Sequence, residues 1–95
     1  FVFYLIRAMQ DRAVEEGLDP DDARTLAAQT FKGAAETVLR SDRDLDALID
    51  AVCSPGGTTI EGMDVLFDSD TDAVVGDAVT AARRRSEELA GDAEE

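Results

Sequence analysis

The sequence of 95 residues has no histidine and a single cysteine, Cys53. One cysteine cannot form an internal disulfide, and without histidine or a second thiol the chain lacks the ligands of a zinc site. The same absences remove the base of a hydrolase triad and leave the Cys53 thiol without a partner that would activate it. The sequence therefore predicts no metal centre, no disulfide and no nucleophilic triad.

The chain also lacks a long apolar run and an excess of positive charge. Its longest apolar run covers residues 1–6, far fewer than the roughly 20 residues that cross a bilayer, and no basic segment precedes it. Nine basic residues against 22 acidic ones give a net charge of −13, which repels nucleic acid and anionic lipid. These features predict a cytoplasmic protein that binds neither nucleic acid nor membranes.

Lysine is almost absent, because Lys32 is the only one, whereas aspartate recurs in the stretches DPDD, SDRDLD and DSDTD. Surfaces rich in short carboxylates and poor in lysine stay hydrated in molar salt, where charge repulsion is screened within about 3 Å. The composition favours a halophilic protein, of the kind found in haloarchaea, over an ordinary acidic one.

Apolar residues recur at helical spacing, and no stretch alternates as a strand would. The pattern predicts an all-α, bundle-like domain of five helices over residues 1–91, followed by a frayed acidic tail at 92–95. Asp19 and Pro20 are typical of a helix start, and Gly17 is typical of the end of the helix before it. Thr58 and Glu61 match a capping box that would start the fourth helix.

The first helix carries apolar residues on every side over residues 1–6. A small monomer could not cover such a helix with its four other helices, so a partner surface is expected. Small residues in the middle of the second helix, at 27–28 and 33–35, would let another backbone approach closely. High helix propensity of alanine explains the same residues equally well.

One stretch is suited to a ligand: residues 53–59, CSPGGTT, which lead into the fourth helix. Glycines let backbone amides approach an anion, and a helix start adds free N–H donors and partial positive charge. A carboxylate or phosphate would fit there. A turn whose serine and threonines cap their own backbone is the alternative, and the residues alone leave both interpretations open.

Residues 50–62, DAVCSPGGTTIEG, resemble the signature of pyrroline-5-carboxylate reductases. The similarity extends through the apolar first helix, residues 28–30 and 33–35, and residues 85–89, but only to the family's C-terminal dimerisation domain. The resemblance implies a homodimer of interlocked helical domains, with a higher oligomer as an alternative. It also implies that NADPH or NADH is bound by an N-terminal Rossmann domain outside these residues, which alone would be inactive.

The resemblance further implies how the loop would act in reducing 1-pyrroline-5-carboxylate to L-proline. Ser54, Gly56, Gly57 and Thr58 would hold the substrate carboxylate, and Thr59 would contact the ring nitrogen and orient or help to protonate it. The residues expected at the dimer interface are Phe1, Val2, Phe3, Leu5, Ile6, Met9, Phe31 and Ala34.

Two further functions are compatible with the same residues. The chain could be a non-catalytic, reductase-like homodimerisation module, or part of a reductase of a related cyclic imine. A phosphate-binding or regulatory site in the 53–59 loop is a weaker third interpretation.

Overall fold

A computed structural model describes the backbone of residues 1–94 and the side chains of residues 1–91. Regular structure in this part of the chain is entirely helical, which confirms the all-α prediction. The helices are α1 (Val2–Glu15), α2 (Pro20–Arg40), α3 (Leu45–Val52), α4 (Thr58–Phe67) and α5 (Thr71–Glu94). All five were predicted in this order.

The junction between α1 and α2 follows the sequence signals closely. Gly17 has a φ of 110°, and the N–H groups of Gly17 and Leu18 donate to the carbonyls of Val14 and Ala13, both at 3.0 Å. This paired arrangement closes α1 as a Schellman motif does, and glycine adopts the required left-handed conformation without strain.

The start of α2 is also as predicted. One carboxylate oxygen of Asp19 accepts hydrogen bonds from the backbone N–H groups of Asp21 and Asp22, at 3.1 and 3.2 Å. Pro20 occupies the first helical turn, where its missing N–H costs nothing. Asp19 therefore satisfies two of the donors that a helix start leaves without partners.

The end of α5 differs from the expectation. The helix was predicted to end near Gly91, but it continues to Glu94. A glycine lowers helix propensity by only about 1 kcal/mol and does not by itself end a helix that has no proline after it. The predicted frayed tail is thus helical at residues 92–94, while Glu95 lies outside the described residues.

The chain divides into two compact units, residues 1–47 and 48–95. In the first, α1 packs against α2, and Ala23 and Ala27 of α2 are the two buried residues, with 1% and 6% of their surface exposed. Alanine has no long side chain, so α1 can lie close to this face. In the second unit, no residue from 48 to 91 is buried.

Large apolar side chains therefore remain exposed on every helix. Phe3 of α1 is 89% exposed, Leu39 of α2 84%, Val65 of α4 72% and Val74 of α5 63%. Two buried alanines cannot supply the apolar burial that offsets the chain entropy lost on folding. The described residues therefore present apolar faces that need a partner.

Ion pairs do not replace this missing core. Those formed by the described side chains are Arg12 with Glu15 and Glu16, Arg83 with Glu87, and Arg85 with Glu88, at 2.8 to 3.7 Å. Each pair joins residues of one helix, or a helix and the residue that follows it, and is exposed. Solvent screening therefore leaves each pair with little effect on stability.

No described helix is both long enough and apolar enough to cross a membrane.

Candidate anion-binding loop

The candidate site is the connection between α3, which ends at Val52, and α4, which begins at Thr58. Within it, the N–H of Gly57 donates to the carbonyl of Ser54 at 3.0 Å. Pro55 and Gly56 are the two central residues of this turn, and Gly56 has a φ of 75°. Proline followed by a glycine of positive φ is typical of a type II β-turn.

Both glycines of the loop are needed by its backbone. Gly56 occupies the left-handed region, which other residues enter only with strain. At Gly57 a Cβ atom would lie 3.1 Å from the carbonyl oxygen of Ser54, which is closer than ordinary van der Waals contact. The backbone conformation of this turn therefore depends on the absence of side chains at Gly56 and Gly57.

The turn also determines where α4 starts. The N-cap is Gly57, with φ −85° and ψ 173°, and no side chain caps the helix. The predicted capping box is therefore wrong. Because the turn closes at Gly57, Thr58 is already the first helical residue, and its hydroxyl cannot take the N-cap position that the motif requires. Glu61 lies in the first turn of α4 without its expected role.

An uncapped start leaves donors free. The N–H groups of Thr58, Thr59 and Ile60 have no carbonyl to bind within α4, and the helix dipole places about half a positive charge at this end. By contrast, Asp19 caps α2, and Asp44 caps α3 by accepting from the N–H of Ala47 at 2.8 Å. The alternative interpretation, in which a side chain of this loop caps α4, is therefore wrong.

The predicted substrate-binding residues come together in this one segment. Ser54, Gly56, Thr58 and Thr59 are exposed, and Gly57 is half-buried. Cys53 is half-buried and donates its N–H to the carbonyl of Asp50 at 3.2 Å, which continues the end of α3. The arrangement offers backbone N–H groups and hydroxyls of one short stretch to a small anion.

The residues expected at a dimer interface lie in the other unit, on α1 and α2 or just before α1. Among them, Ile6 and Phe31 are half-buried, and the rest are exposed: Phe1, Val2, Phe3, Leu5, Met9 and Ala34.

The described side chains include no cluster of three or more groups that could hold a metal ion.

Comparison with known proteins decides the family. Residues 1–89 match the family model described as pyrroline-5-carboxylate reductase dimerisation. The chain belongs to this family. It is 46% identical over 89 residues to pyrroline-5-carboxylate reductase of Methanosarcina acetivorans and 44% identical to that of Escherichia coli. Each match covers 94% of this chain and 33% of the relative.

A solved structure shows the same fold. The crystal structure of Plasmodium falciparum pyrroline carboxylate reductase with NADP bound matches with a TM-score of 0.85 and 34% sequence identity. The match covers 93% of this chain and 34% of that chain. The chain thus spans about a third of the length of its relatives and belongs to the dimerisation domain family of pyrroline-5-carboxylate reductases, as the resemblance of residues 50–62 implied.

Proposed function

We propose that this chain forms the dimerisation and substrate-binding part of an enzyme that reduces 1-pyrroline-5-carboxylate to L-proline with NADPH or NADH, completing proline biosynthesis. The observation that carries the proposal is the 53–59 loop. It lies within residues 50–62, which resemble the signature of the family, and its turn leads into a helix start that no side chain caps.

The loop would bind the substrate through its carboxylate. Ser54 and Thr58 contribute hydroxyl donors, and the backbone around Gly56 and Gly57 allows close approach because no Cβ atom stands in the way. Hydrogen bonds to a carboxylate are shorter and stronger than those between neutral groups, so a few donors suffice to fix its position. These interactions would place the ring at a defined distance from α4.

Thr59 would then act on the ring nitrogen. Its hydroxyl lies one residue beyond Thr58, so the carboxylate and the nitrogen of one small ring can be held by neighbouring positions of the same helix turn. A hydroxyl at the nitrogen can donate a hydrogen bond or deliver a proton as the imine becomes an amine. Thr59 is therefore the catalytic residue that we assign to this chain.

The cofactor is assigned to the part of the enzyme outside this chain. A dinucleotide site needs a strand, a glycine-rich turn and a helix, and residues 1–94 contain no strand. The described residues therefore do not fit NADPH or NADH, and we assign none of them to it. When bound, the nicotinamide supplies the hydride. These 95 residues alone are expected to show no reductase activity.

The partner that we propose for the exposed apolar faces is a second copy of this chain. The predicted interface lies on α1 and the middle of α2, where Phe1, Val2, Phe3, Leu5 and Met9 are exposed although they are apolar. Apolar side chains that are contiguous on one helix and exposed in the single chain are typical of a surface that a second protein chain covers. A higher oligomer would be built from such dimers.

We also propose that the enzyme works in the cytoplasm of a halophilic organism. The supporting observation is the net charge of −13 with a single lysine, combined with exposed ion pairs that join no two helices in the described part of the chain. Such a surface depends on salt to screen its own repulsion.

The test is oxidation of NADPH by the product of the whole reading frame, with 1-pyrroline-5-carboxylate as substrate, in molar KCl and in dilute buffer. We expect turnover that requires the substrate and is greater in molar KCl. Absence of turnover in both buffers, with a dimer still present, would favour the homodimerisation module. Turnover with only a six-membered cyclic imine would favour the related reductase.

Replacing Gly56 by alanine in the complete enzyme is expected to raise the KM for 1-pyrroline-5-carboxylate about tenfold. Alanine at a positive φ costs roughly 1–2 kcal/mol, and the loop would relax away from the shape that binds the carboxylate. The matched control is Gly91→Ala, because Gly91 is helical and has open space at its Cβ position. Steady-state kinetics with equal KM values for both variants would contradict the role of the turn.

A further inference from the structure

The charge of this chain is distributed unevenly around the candidate loop. Between Arg43 and Arg83 the sequence has no basic residue, whereas residues 44–82 contain nine acidic ones. The 53–59 loop lies inside this stretch. A site expected to take an anion is thus surrounded in sequence by carboxylates alone.

Three of these carboxylates are close to the loop because of the secondary structure. Asp50 is in the last turn of α3, and its carbonyl accepts from the N–H of Cys53 at 3.2 Å. Glu61 and Asp64 follow Thr58 in α4 by three and six residues, or about 4.5 and 9 Å along the helix axis. All three side chains are exposed, and none is in an ion pair with a described side chain.

The donors that would hold the anion are neutral. They are backbone N–H groups and hydroxyls, since residues 53–59 contain no arginine or lysine. These donors act only at contact distance, whereas the carboxylates act over the Debye length, about 10 Å at 0.1 M salt and about 3 Å at 1 M. Salt therefore weakens the repulsion from these neighbouring carboxylates much more than it weakens the short hydrogen bonds.

We propose that the loop binds carboxylate ligands more tightly as ionic strength rises, so that salt regulates substrate affinity at this site. The inference rests on the proposed function, because the loop must be the carboxylate site. The expected effect is a roughly two- to fourfold fall in the dissociation constant of a singly charged anion between about 0.1 M and about 1 M salt. A site built on arginine or lysine would show the opposite trend.

Two ring compounds that differ in net charge separate this effect from general activation by salt. Cyclopentanecarboxylate carries one negative charge, whereas L-proline has the same ring size and carboxylate but is a zwitterion without net charge. Each is tested as a competitor of 1-pyrroline-5-carboxylate in the full-length enzyme, at several concentrations of KCl and of potassium methanesulfonate, whose anion is neither chloride nor a carboxylate. Light scattering at each concentration verifies that the oligomeric state is constant.

The inhibition constant of cyclopentanecarboxylate is expected to fall two- to fourfold, in both salts, while that of proline changes less. The double variant Glu61→Gln, Asp64→Asn should bind cyclopentanecarboxylate more tightly in dilute buffer and show a smaller salt effect. The double variant Asp11→Asn, Glu36→Gln is the control for a changed total charge, because it removes the same two charges at exposed residues of α1 and α2 in the other unit. Its salt dependence should equal that of the unaltered enzyme.

An inhibition constant of cyclopentanecarboxylate that stays constant or rises with salt would overturn the inference. A rise confined to KCl would do the same, since it would show chloride competing for the loop. Failure of both compounds to compete with 1-pyrroline-5-carboxylate would instead overturn the proposed function, because the loop would then not be the carboxylate site.

Discussion

Thr59→Ala in the complete reductase is expected to lower kcat about 100-fold while the dimer remains intact. Proton transfer or a directed hydrogen bond from a positioned side chain typically contributes 10²- to 10⁴-fold, and the lower end of this range, about 100-fold, suits a neutral hydroxyl. The Thr59 side chain is exposed and caps no helix, so removing its hydroxyl should leave the fold of α4 unchanged. The measurement is steady-state kinetics with saturating NADPH.

The matched control is Thr59→Ser, which keeps the hydroxyl and removes only a methyl group. This variant should retain kcat within a few-fold of the unaltered enzyme. Binding of proline to Thr59→Ala, measured by calorimetry, should persist because the carboxylate contacts are unchanged. Turnover at the original rate in Thr59→Ala would remove Thr59 from the mechanism.

Phe3→Asp is expected to raise the dissociation constant of the dimer by at least about 100-fold. Phe3 is the most exposed of the large apolar residues, at 89%, on a helix that is apolar on every side near its start. Burying an unpaired carboxylate at an apolar contact costs several kcal/mol, and about 1.4 kcal/mol corresponds to tenfold in affinity. Light scattering over a dilution series measures the change in mass.

Two control variants separate the effect of charge at the interface from other effects. Phe3→Leu keeps an apolar side chain and should leave the mass of the dimer unchanged. Gln10→Glu adds the same charge to α1 at a position that is already polar and should weaken the dimer much less. A Phe3→Asp protein that keeps the mass of the unaltered protein at every dilution would place the interface elsewhere.

The helices were predictable because local chemistry determines their ends. Gly17, Asp19 and Pro20 each act within three residues of their own position, so the sequence contains the information that fixes the junction of α1 and α2. The capping box at Thr58 was predicted wrongly because the preceding turn closes at Gly57. The motif describes only the helix, whereas the turn decides which residue is the N-cap.

The candidate site could be predicted only in part. Glycines before a helix indicate a site for a small anion, but the same residues fit a self-capping turn until the backbone shows that α4 has no side-chain cap. The identity of the anion came from the resemblance of residues 50–62 to a family. The role of Thr59 depends on where the ring nitrogen lies, which no local rule determines, and so it stays a prediction.

The near absence of buried residues has a consequence for a single copy of this domain before it meets its partner. Among the described residues only Ala23 and Ala27 are buried, so the domain would gain much of its stability from the partner, and dimer formation depends on the square of the copy concentration. Copies that have not yet met a partner would be open to proteases. The amount of assembled dimer would therefore fall more steeply than the rate of synthesis.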